Sequence, residues 1–78
     1  MQSLAQSVAG NVRAEMARVR VSQTQVGRAL GITQQAVSRR LKGEVDFTVT
    51  ELATVAELLG VETATLLPAS RSAVRSAS

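Results

Sequence analysis

The sequence predicts an all-α fold, and three observations carry that prediction. Apolar residues recur at helical spacing, good N-cap residues stand at the head of each apolar run, and glycines or a proline close the runs. No stretch of strand length alternates apolar and polar residues. The expectation is a compact bundle of five short helices over residues 1–68, followed by a flexible basic Ser/Ala/Arg tail over 69–78.

The first helix is expected from about Ser3 to Val19, with Ala5, Val8, Ala9, Val12, Met16 and Val19 on one face. Four later starts share one device, an apolar residue before the cap that packs on another five positions along. Ser22 lies between Val21 and Val26, with Gln25 completing a capping box. Thr33 lies between Ile32 and Val37. Thr48 lies between Phe47 and Leu52, with Glu51 completing a second box. Glu62, a poorer cap, lies between Val61 and Leu66. The stops are Gly31, Gly43, Gly60 and Pro68. In the fourth helix, about Val49 to Leu59, one stripe holds Val49, Leu52, Val55, Ala56 and Leu59. Of Leu66 and Leu67, one is expected in the core and the other at an interface.

Composition removes several function classes. In 78 residues there is neither cysteine nor histidine, so disulfides, thiolate zinc sites and the commonest general base are absent. A reducing, intracellular setting is expected, with no cofactor and no metal. No apolar run reaches the roughly 18–20 residues of a membrane span. Glu44 and Asp46 lack a third ligand or base, and negative charge there suits the approach to a helix N-terminus. No enzyme is expected.

Charge is polarised along the chain. Residues 13–42 carry seven basic side chains and one acid, whereas residues 43–67 carry five acids and no basic side chain. The basic half should face a polyanion.

Ser22 to Gly43 reads SQTQVGRALGITQQAVSRRLKG: two short helices and a three-residue turn, Gly31-Ile32-Thr33. Gly31 accommodates the positive φ that reverses the chain. Gly27 leaves room where the helices approach, and Val26, Leu30, Ile32, Val37 and Leu41 fill the wedge between them. That is the specification of a helix-turn-helix, although an αα-hairpin in an unrelated bundle would satisfy it equally. The outer face of the second helix separates the two. It presents Gln34, Gln35, Ser38 and Arg39, with no acid between Arg18 and Gly43. Glutamine matches N6 and N7 of adenine, arginine matches O6 and N7 of guanine, and a short serine permits deep seating. Phosphate contacts are expected from Ser22, Gln23, Thr24, Arg28, Thr33, Arg40 and Lys42, with Arg20 a further candidate.

The motif VSQTQVGRALGITQQAVSRRLKGE, with FTVTELATVAELLGV after it, resembles the lambda-repressor-like, Cro/CI-type helix-turn-helix domains of phage and bacterial regulators. The resemblance covers about Val8 to Pro68. It implies five helices with the second and third as the reading unit, and places Gln23 on phosphate. It also places Gln34, Gln35, Ser38 and Arg39 on bases. Two departures stand out: Gly27 replaces the usual alanine, and Arg40 occupies the usual place of an isoleucine or leucine. The implied function is transcriptional regulation, as a homodimeric repressor of phage or prophage type on a two-fold double-stranded operator. The alternative is an antitoxin or other protein-interaction module, suggested by the acidic half from Glu44 to Leu67.

Overall fold

A computed structural model of the chain describes residues 3–68; the tail assigned to residues 69–78 lies outside the described residues. Four α-helices follow in order, α1 (Leu4–Val19), α2 (Gln23–Leu30), α3 (Gln34–Leu41) and α4 (Val49–Leu59), and a 3-10 turn, Thr63–Leu66, completes the element order.

The starts are made by the capping residues. Ser22 Oγ accepts the Gln25 N–H at 3.2 Å while Gln25 Oε1 accepts the Ser22 N–H at 2.8 Å. Thr48 and Glu51 form the same reciprocal pair, each bond 3.0 Å. Thr33 Oγ1 accepts the Ala36 N–H at 3.1 Å. A further box, Ser3 with Gln6, opens α1, an S-x-x-Q pair additional to the two expected. Each satisfies N–H groups that the first helical turn leaves without partners.

The core is formed by Val12, Val26, Val37, Val55 and Leu66, all fully buried, with Val8, Met16, Leu41, Leu52, Ala56 and Leu59 around them. Among the described residues no polar or charged residue is buried. Helix α2 packs on both α3 and α4, and α1 packs across α3 and the 3-10 turn.

Two expectations need correction. The fifth helix is one 3-10 turn, because Glu62 makes no side-chain cap bond and Pro68 follows within two residues of its end. Instead, Asn11 on α1 donates from Nδ2 to the Leu66 and Leu67 carbonyls at 3.1 and 3.2 Å, holding the turn so that Leu66 is buried and Leu67 exposed. Val49 does not share the buried stripe of α4. As the first helical residue it is 81% exposed. Helix α1 is closed by Arg20, which adopts the left-handed conformation, φ 59°, its N–H reaching the Met16 carbonyl.

Candidate nucleic-acid interface

Helices α2 and α3 meet through Gly31, whose φ of 70° reverses the chain, and Ile32, whose N–H donates to the Gly27 carbonyl at 3.1 Å. A Cβ on Gly27 would stand 3.2 Å from the Ile32 carbonyl oxygen and 3.4 Å from Val37 Cγ2. The absent side chain therefore lets α2 sit close to the turn and to α3.

The two ends of α3 differ. At its C-terminal end every carbonyl that lacks a helical partner is met by a protein donor. Lys42 N–H donates to Ser38 O at 3.1 Å, Glu44 N–H to Arg39 O at 3.0 Å and Gly43 N–H to Arg40 O at 3.1 Å. The last two bonds constitute a Schellman closure. The Leu41 carbonyl accepts from Nη1 of Arg13 on α1. Gly43 also touches α1, since a Cβ there would lie 2.9 Å from Gln6 Cα. The recognition element is thus tied to the scaffold at its far end, while its opening turn faces outward.

Gln34, Gln35 and Arg39 are exposed on α3 and Ser38 is half-buried between them and the scaffold. Ser22, Gln23, Thr24, Arg28, Thr33 and Lys42 are also exposed. A shallow depression of about 240 Å³ brings Gln23, Thr24 and Arg28 of α2 against Gln34 of α3, with Gly27, Gly31 and Ile32 as its floor. The Ser22 and Thr33 hydroxyl oxygens accept cap bonds, which leaves each O–H proton available to an outside acceptor. Lys42 lies at the opposite end of α3 from that depression.

Arg40, also expected on phosphate, is different: its guanidinium is engaged within the fold. Its Nε and Nη2 donate to Glu51 Oε1 and Oε2 at 3.0 and 3.3 Å, and Nη1 donates to the Ala36 carbonyl at 3.1 Å. The two side chains are only 17% and 18% exposed. All three guanidinium nitrogens are committed to α3 and α4, so Arg40 fastens the two helices together. Burial raises the Glu51 pKa, but the Arg40 hydrogen bond, the Thr48 N–H and the Arg40 charge outweigh it and hold the carboxyl below its ordinary value.

Sequence reasoning missed the roles of two residues that shape this region, Arg13 and Glu44. The first acts across the fold and has no local signature. Glu44 had one, since it directly follows the glycine that closes α3.

The fold and this surface define a helix-turn-helix domain. The family model described as Helix-turn-helix matches residues 12–66, and the chain belongs to that family, the lambda-repressor-like, Cro/CI-type domains. Comparison with curated proteins and with solved structures gives no match. The family is one of DNA-binding transcription regulators rather than enzymes. No helix among the described residues is long and apolar enough to cross a membrane.

Proposed function

We propose that the protein is a sequence-specific transcriptional repressor of phage or prophage type that inserts α3 into the major groove of an operator. Gln34, Gln35, Ser38 and Arg39 read base edges, and Ser22, Gln23, Thr24, Arg28, Thr33 and Lys42 hold phosphates. Arg40 leaves the phosphate set and keeps the reading helix in place. The observation that carries this reading is the exposed face of α3, amide- and guanidinium-bearing and free of acids, on a helix whose opposite face packs on α2 and whose far end the scaffold closes. An eight-residue helix reaches few base pairs, so a homodimer on a two-fold site is the arrangement that supplies adequate specificity. The setting is the cytoplasm of a bacterial cell or an infected host, and repression follows from blocking polymerase access.

Selection from random duplexes at moderate salt tests the proposal. Enrichment of a two-fold sequence is expected, and the absence of any preferred sequence would refute it. The competing reading, a protein-interaction module such as an antitoxin, is favoured by exposed Leu4, Val49 and Leu67, all outside α2 and α3. It requires that Gln34→Ala and Gln35→Ala leave the physiological activity intact.

A further inference from the structure

The Schellman closure of α3 has a consequence for Arg39. In that motif the residue after the left-handed glycine comes to lie beside the third residue from the helix end, where two apolar side chains commonly meet. Here those positions are Glu44 and Arg39. The Glu44 N–H donates to the Arg39 carbonyl at 3.0 Å, which fixes the two main chains, and Glu44 Oε1 lies 3.8 Å from Arg39 Nε. A carboxylate is thereby set beside the guanidinium best suited to read guanine. Both side chains are exposed, at 64% and 54% for Arg39 and Glu44, so the pair adds little to folding stability. A stabilising role does not account for it.

We propose that Glu44 is a positioning residue that determines specificity: its carboxylate engages the Nε side of Arg39 and directs the Nη1 and Nη2 edge at O6 and N7 of one guanine. The inference rests on the proposed DNA-reading role of α3. Guanine recognition needs two parallel donors, and a guanidinium whose Nε faces a carboxylate still has four N–H groups to offer. Restricting a long side chain before binding reduces the rotamer entropy lost on contact. The carboxylate also repels phosphate, which lowers affinity for all duplexes alike. The first effect widens the gap between the correct and the incorrect base pair, and the second keeps binding in general from strengthening.

The test compares wild type, Arg39→Ala, Glu44→Gln and Glu44→Asp on a duplex library varied one base pair at a time around the selected site. Glu44→Gln keeps the main-chain N–H that closes α3, and thermal melting verifies that the fold is retained. Arg39→Ala is expected to flatten preference at one base pair. Glu44→Gln is expected to cut the preference at that same base pair by about fivefold or more, within the range carried by one bidentate contact. Preferences at the pairs read by Gln34 and Gln35 stay unchanged, and affinity for unrelated duplex rises about two- to threefold at low salt. Glu44→Asp restores part of the lost preference. A Glu44→Gln profile identical to wild type, alongside a flattened Arg39→Ala profile, overturns the role of Glu44 alone. An Arg39→Ala profile identical to wild type removes Arg39 from the reading set, and the inference falls with it.

Discussion

Replacing Glu51 with alanine removes two structural functions together. The carboxylate accepts the Thr48 N–H at the start of α4, and it receives two bonds from Arg40 on α3. Loss of the reciprocal cap bond costs about 0.5–1 kcal/mol. Breaking a fully buried ion pair by deleting one partner costs about 3–5 kcal/mol, and the residual exposure of this pair reduces that figure. The combined loss is about 2–3 kcal/mol. For a domain of this size that is about 10–20 °C in Tm, a large part of a total stability of a few kcal/mol. The assay is urea and thermal unfolding followed by helical circular dichroism, with Glu51→Gln as the companion variant. The amide keeps an acceptor for Thr48 but loses the charge, so its cost is about 1 kcal/mol at neutral pH. Acid provides an independent check. The folded Glu51 carboxyl sits below its ordinary value of 4.5, so its contribution is complete above that pH and disappears as pH falls through the folded value. The stability gap between wild type and Glu51→Gln therefore narrows below about pH 4.5. A loss under about 0.5 kcal/mol for Glu51→Ala, or a gap independent of pH, would refute the clamp between α3 and α4.

Three further outcomes follow from named contacts. Gly43→Ala combines a strained positive φ with a Cβ pressed against the α1 main chain at Gln6; a loss of about 2 kcal/mol or more in urea unfolding is expected. Arg20→Gly relieves the left-handed conformation at the end of α1 and should gain about 0.5–1 kcal/mol in the same assay. Lys42→Ala should weaken binding to all duplexes to a similar degree and reduce the slope of log affinity against log salt by about one, as measured by fluorescence anisotropy.

Much of the fold was legible because its instructions are local. Ser22 with Gln25, Thr48 with Glu51, and the staples around Ser22, Thr33 and Thr48 each lie within one turn of the helix they start. Gly31 and Gly60 likewise mark their own stops. What failed to read was non-local. Asn11 and Leu66 are far apart in sequence, so nothing near Thr63 showed that a side chain on α1 would hold a single turn in place of a helix. Val49 matched the apolar period of α4, but its place at the very start of the helix put it beyond the reach of the core. Arg40 has the chemistry of a phosphate ligand, and only the approach of α4 reveals that Glu51 occupies it. The candidate readers were legible for a different reason. They are the side chains on the face of α3 turned away from Val37 and Leu41, and amphipathic spacing alone locates that face.

The central claim is that α3 lies in the major groove, and methylation interference on the selected operator tests it in one experiment. Dimethyl sulfate marks guanine N7 in the major groove and adenine N3 in the minor groove of the same duplex. Binding is expected to be blocked by N7 methylation at a guanine in each half-site, and the block should vanish in Arg39→Ala. Interference confined to adenine N3, with N7 methylation tolerated throughout, would contradict it.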